Sequence, residues 1–345
     1  MRSLRAAAFA CLIGAALATT AALAGESVKL FGYLEYRKGS ALIVDGQRVL
    51  VTPKTKVSLS GGNQSMALGY ELLVQGERAA DGSIVAKSIE AKPNGLAFME
   101  KNVLQQTQQA EQSYVKAARM YEAGADGKAQ SMGNLVTTGP QVDRCRKIVD
   151  RLLPSYVDPK KVRVYVVENP EWNAMAMANY SIYTFSGLMK DMDDDELAIV
   201  LGHEIAHATY EHSRRQAKKS VFGNVAGQAA MIGASFIGND LGRTAAQQAT
   251  SVGVGTYSNF YSRDYEDQAD RVGLRYVYEA GYDVHKAPAL WRKFAAKYGD
   301  GSKTTNFFFG DHSLSTKRAA DLEKEIAHNY ADPKTDPPTR AGGGS

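Results

Sequence analysis

The stretch ELAIVLGHEIAHATYE, residues 196–211, is apolar at Leu197, Ile199, Val200, Leu201 and Ile205, yet carries two histidines and a glutamate at its centre. A helix apolar over most of its surface is a buried one, and charged groups gathered at one point of it mark a site. His203 and His207 are four apart, so on a helix they project from one face a turn from each other, with Glu204 beside them. Both imidazoles can then reach one metal ion, which makes HEIAH half of a hydrolytic zinc site and leaves the other half to be found.

Such a site keeps three protein ligands and one position for water. A third histidine six residues after the second, with a glycine between, would be the metzincin solution, but Tyr210 and Ser213 stand at those places. The other solution is a carboxylate from a later helix. SRDYEDQADRVGLRYVYEAGYD, residues 262–283, reads as a helix through Val272, Leu274, Tyr276 and Val277, closed by Gly281. Glu266 and Asp270 share one of its faces; Glu266 is the best third ligand, because Asp270 one turn on can hold a ligating imidazole by its free N–H.

Just upstream, Asp191, Asp193, Asp194, Asp195 and Glu196 crowd the start of the HEIAH helix. Carboxylates there satisfy free amides and suit the helix dipole, so the cluster reads as a cap. WNAMAMANYSIYTFSGL, residues 172–188, has strand-forming segments on either side of Ala178 and Asn179 and is expected to form a hairpin or paired edge strands near the metal. Asn173, Ala174 and Met175 are therefore candidates for pairing with an extended peptide substrate. Before it, Leu96–Tyr121 reads as a polar helix with Met99, Val103, Tyr114, Val115 and Ala118 as apolar contacts. Gly124–Gly139 reads as a connector, Val142–Leu153 as a helix stopped by Pro154, and Val162–Val167 as a strand.

The N-terminal part has another character. Arg2 and Arg5 precede an apolar run, Ala6–Leu23, that ends in Ala22-Leu23-Ala24, so residues 1–24 are expected to be a secretory signal peptide. Cleavage after Ala24 would remove Cys11 and leave Cys145 alone, which rules out an internal disulfide. From Val28 to Ala91 short apolar alternations are broken at Lys38-Gly39, Asp45-Gly46, Gly61-Gly62 and Asp81-Gly82, spacings that suit a small OB-like β-barrel used for docking or spacing. Pro93-Asn94-Gly95 marks its end. The expected organisation is signal peptide 1–24, barrel 25–95, metal-site domain 96–330 and flexible tail 331–345. Residues 221–238, the most apolar internal stretch, read as a helical hairpin near the site, with peripheral membrane contact as the alternative. A formal charge of +4, interspersed along the chain, argues against a nucleic-acid partner.

HEIAHATYEH, then SRDYEDQADRVGLRYVYEAGYD, then HSLSTKR at 312–318 resemble, in this order, the HtpX-like zinc endopeptidases. That family includes the CAAX prenyl endopeptidases and soluble periplasmic quality-control proteases, and the resemblance spans roughly Leu96 to Tyr330. It implies an α+β fold, a mostly helical zincin-type (gluzincin) metallopeptidase domain with a small sheet. It also implies one zinc ion held by His203, His207 and Glu266, Glu204 as catalytic base and Asp270 behind the ligands. His212 matches a histidine common after the zinc motif and reads as structural; His312 and Arg318 match late residues with a regulatory or transition-state role, although Ser313 replaces the usual proline.

The function so implied is a periplasmic zinc endopeptidase acting on misfolded or misassembled envelope proteins. In it Glu204 takes a proton from metal-polarised water and passes it to the departing amine. The alternative is a non-proteolytic periplasmic chaperone or assembly factor that binds outer-membrane protein clients. A prenylated substrate is not expected, since the chain lacks the repeated spans of the integral-membrane relatives.

Overall fold

The computed structural model describes residues 26–60, 66–93, 98–123, 129–216, 261–299 and 315–330. The signal-peptide segment with Cys11, the Gly61-Gly62 turn, the boundary residues Asn94 and Gly95, the apolar stretch 221–238, His312 and the tail from 331 lie outside them, as do the side chains of Met99 and Val103.

Six strands form the first sheet: β1 (Ser27–Lys38), β2 (Ala41–Val44), β3 (Gln47–Leu50), β4 (Lys56–Leu59), β5 (Glu71–Arg78) and β6 (Ile84–Lys92). Their order is β3-β2-β1-β5-β6-β4, and β6 also pairs with β3 through Val49↔Ile84 and Leu50↔Val85. Leu34, Leu42, Val44, Leu72, Val74 and Ile89 fill its interior, the inward positions of the alternation read from sequence. Strand β4 is an addition: KVSL is mostly exposed and carries no alternation of burial to betray it.

The second sheet comprises β7 (Arg119–Ala123), β8 (Ala129–Val136), β9 (Arg163–Glu168), β10 (Ala174–Ala176) and β11 (Ser181–Phe185), in the order β10-β11-β9-β8-β7. Two expectations are corrected here. Helix α1 (Phe98–Ala117) stops short of Tyr121, because Ala118 takes φ 48° and the chain leaves as β7; Val115 is 42% exposed, not an apolar contact. The supposed connector contains β8, whose polar Gln130, Ser131 and Asn134 hide a strand held by partners on both edges. The hairpin around Ala178 and Asn179 is present as β10 and β11, with β10 at the sheet edge, but it ends at Phe185 and the next residues begin α3 (Ser186–Asp191).

Helices α2 (Pro140–Leu152), α4 (Asp194–Thr209), α5 (Arg263–Glu279), α6 (Ala287–Tyr298) and α7 (Ser315–Asn329) are the further long helices of the described residues, and the main core joins them to the second sheet. Helix α4 opens on the expected cap: Asp193 accepts from the Glu196 N–H and the Glu196 side chain reaches back to Asp193. Lys286 binds both Asp193 and Asp195, which ties the start of α4 to the segment before α6. Helix α5 ends in a Schellman turn, Gly281 at φ 78° donating to Tyr278 and Tyr282 to Val277. Among the described residues no helix is long and apolar enough to cross a membrane.

Candidate metal centre

Helix α4 is buried along nearly its whole length and packs on both β10 and α5, so the groups it carries face other elements and not solvent. His203 is 2% exposed, Glu204 2%, His207 1% and Glu266 1%. The two Nε2 atoms stand 3.0 Å apart, and the Glu266 carboxylate approaches both, Oε2 at 3.5 Å from His203 and Oε1 at 3.5 Å from His207. One ligand atom from each of the three lies within 4.8 Å of the others, so they are placed close enough to bind one metal ion.

The remaining ring nitrogens decide what those Nε2 atoms carry. His203 Nδ1 lies 2.9 Å from Asp270 Oδ1, and His207 Nδ1 lies 2.9 Å from His212 Nδ1. When the Nδ1 atoms carry the ring protons, both Nε2 atoms offer lone pairs to one buried space, which a proton fills in the metal-free protein and a metal ion can take in its place. Tetrahedral zinc with bonds of about 2.0–2.1 Å would separate two nitrogens by about 3.3 Å. Two imidazoles, a carboxylate and an adjoining glutamate are the donor set of a hydrolytic zinc site.

Arg318, on α7, lies behind this cluster. Its Nε donates to Asp270 Oδ2 at 2.9 Å, its Nη1 is 3.7 Å from Glu266 Oε2, and its guanidinium stacks 3.6 Å above the Trp291 ring. Burial alone would raise the Asp270 pKa, but Arg318 and His203 outweigh it and hold the carboxyl below its ordinary range. Burial and Arg318 oppose a charged His203, yet its bonds to Asp270 and Glu266 carry it up to about 9. Metal binding to the cluster must therefore displace a proton.

Glu204 Oε2 accepts the backbone N–H of Ala176 at 3.1 Å, which brings the glutamate to edge strand β10. Ala174 and Met175 lie on that strand with Asn173 just before it. Asn173 is 2% exposed, and neither atom of its side-chain amide has a hydrogen-bond partner among the described residues. The structure thus brings His203, Glu204, His207, Glu266, Asp270 and Arg318 together, places Asn173, Ala174 and Met175 on or beside the strand that Glu204 touches, and leaves His312 outside the described residues.

Gln268 is the residue that sequence reasoning missed. It is 3% exposed and lies 3.0 Å from His212 Nε2 through its Oε1. The available signal was the spacing of Gln268, Arg271 and Arg275, which places them on the face of α5 opposite Glu266 and Asp270. That face meets the first sheet: Arg271 binds Glu35 at 2.9 Å and Arg275 reaches the Glu35 carbonyl.

Residues 140–326 match peptidase family M48, and residues 32–90 match a domain of unknown function, DUF5666. The chain is 30% identical over 220 residues to the metalloprotease YcaL of Escherichia coli K12, covering 61% of this chain and 84% of that protein. It is 25% identical over 248 residues to the metalloprotease LoiP of the same strain, covering 71% and 96%. A putative beta-barrel assembly-enhancing protease of Vibrio cholerae is 30% identical over 184 residues, covering 52% of this chain and 38% of that protein.

Proposed function

The chain belongs to peptidase family M48 and is a zinc metalloendopeptidase by that membership, and from this premise we propose that it acts in the bacterial periplasm on misfolded or misassembled envelope proteins. The observation that carries the reading of the site is the convergence of His203, His207 and Glu266 with Glu204 beside them. Those three residues would hold the ion, with Asp270 orienting His203. Arg318, bound to Asp270, keeps that carboxylate ionised and in place.

Bound zinc would polarise water and the scissile carbonyl. Glu204 takes the proton of the attacking water and hands it to the departing amine nitrogen. An extended substrate adds to the edge of β10 that no described strand covers, where backbone bonds give affinity with little sequence choice and the side chain of Asn173 offers a donor and an acceptor. The apolar run 6–23 after Arg2 and Arg5 supports export, and the name of the Vibrio cholerae relative supports envelope clients. The first sheet is read as an OB-like barrel that docks on the catalytic domain, a reading supported by the β3–β6 pairing, with the division near residue 95.

The test is zinc content and casein cleavage of the purified protein before and after chelation, beside Glu204→Gln and Glu266→Ala. Glu204→Gln is expected to keep zinc and lose cleavage by about 100-fold or more, whereas Glu266→Ala loses zinc. Full cleavage by Glu204→Gln sinks the assignment.

A further inference from the structure

Gln268 joins the two sheets' domains at the back of the metal centre. On one side of its amide, Oε1 meets His212 Nε2 at 3.0 Å and Arg215 Nη1 at 2.9 Å. On the other, Nε2 meets Glu35 Oε1 at 2.7 Å and Asp45 Oδ1 at 2.9 Å. An arginine can only donate and an ionised carboxylate only accept, so these neighbours leave the amide one orientation. The carboxylates are themselves fixed as acceptors: Glu35 is paired with Arg271, and Asp45 Oδ1 also takes the Tyr33 N–H at 2.9 Å.

The orientation propagates. Gln268 Oε1 accepts, so His212 carries its proton on Nε2, and the neutral ring then presents a lone pair at Nδ1. That lone pair faces His207 Nδ1 at 2.9 Å and places the His207 proton there. His207 is left with its Nε2 lone pair directed at His203 Nε2 and Glu266. Turning the amide over would send the opposite tautomer along the same path and put a proton where the metal belongs.

We propose that the N-terminal sheet is a positioning element of the metal centre: Glu35 and Asp45 orient Gln268, which sets the tautomer of His212 and through it the metal-ready tautomer of His207. The inference rests on the reading of His207 as a zinc ligand. It gives the DUF5666 region, which matches residues 32–90, a task inside the active site in addition to docking.

The test uses the full chain with two readouts: imidazole nitrogen–proton correlation spectra of the zinc-free protein, and zinc affinity by competition with a chromophoric chelator. Wild type is expected to show the Nε2–H form of His212 and the Nδ1–H form of His207. Gln268→Leu should mix the tautomers and weaken zinc binding about 10–100-fold. Asp45→Ala, which removes one acceptor, should shift both readouts in the same direction, and Asp45→Asn, which keeps an oxygen there, should restore them. Tyr210→Phe removes a hydroxyl bond to the Leu34 carbonyl across the same interface but outside this path, and should move neither readout. Unchanged tautomers and zinc affinity in both Gln268→Leu and Asp45→Ala overturn the proposal, as does an equal loss in Tyr210→Phe. His207→Ala separates the premise: if it binds zinc as wild type does, the ligand reading itself is wrong.

Discussion

Gly273 of α5 lies so close to His203 of α4 that a methyl group on the glycine would stand 2.7 Å from the His203 backbone nitrogen. The reverse holds at Gly202, where a methyl would stand 2.9 Å from the Gly273 carbonyl oxygen. The two helices that carry the candidate metal ligands cross at this pair of glycines. Gly273→Ala should force them apart, cost about 1–3 kcal/mol of stability and weaken zinc binding, because Glu266 moves with α5. Denaturant unfolding and zinc titration of the variant check this; wild-type values for both would show that the crossing tolerates the methyl.

The buried pair of Asp270 and Arg318 has two separable consequences. Asp270→Asn removes the nearer of the two carboxylates facing the buried Arg318 guanidinium and leaves only Glu266 at 3.7 Å, which should cost about 3 kcal/mol, with zinc affinity falling about 10–100-fold. Adding Arg318→Met should recover much of the stability, since the whole pair is then gone, but not the zinc affinity, since His203 still lacks its carboxylate. Thermal unfolding of the metal-free proteins and chelator competition read the two effects independently.

Glu111 of α1 is held by Arg163, Tyr165 and the Asn179 amide in the hairpin turn. Burial opposes its ionisation, but those bonds outweigh it and the pKa is lowered. A lowered carboxylate contributes stability above its unfolded value and loses it as pH falls through the folded one. The stability gap between wild type and Glu111→Gln is therefore expected to be full at neutral pH and to close below about pH 4.3. A gap that widens on acidification would contradict the sign.

Cys145 is fully buried, 3.2 Å from Thr184 Oγ1, and burial pushes its thiol up to about 11. A thiol that is both inaccessible and protonated is a poor nucleophile. Ellman's reagent should leave the native protein unlabelled and label one thiol per chain, lacking residues 1–24, on unfolding. Rapid labelling of the native protein would place the residue at the surface.

How much was legible followed from the range of the interactions involved. The candidate ligands His203, His207 and Glu266, with Asp270 behind them, were readable because their pairs sit one turn apart on a helix, and helix geometry converts that spacing into a shared face. The cap at Asp193 was readable for the same local reason. Strand β8 was not, because its polar residues are held by partners on both edges and not by an apolar stripe. His212 was seen only as structural, since its link to His207 depends on Gln268, and Gln268 in turn on Glu35 at a separation of 233 residues.

By itself, then, the sequence carried the family resemblance, the candidate ligands and the two helices that present them, because short motif spacings are turned into shared faces by backbone geometry. Only the tertiary structure decided how α4 and α5 bring the donors within reach of one ion, that Arg318 is bound to Asp270, and that acids of the first sheet stand behind His207. Those relations depend on the close approach of elements far apart in the chain, and only packing, through contacts such as the Gly202–Gly273 crossing, sets that distance.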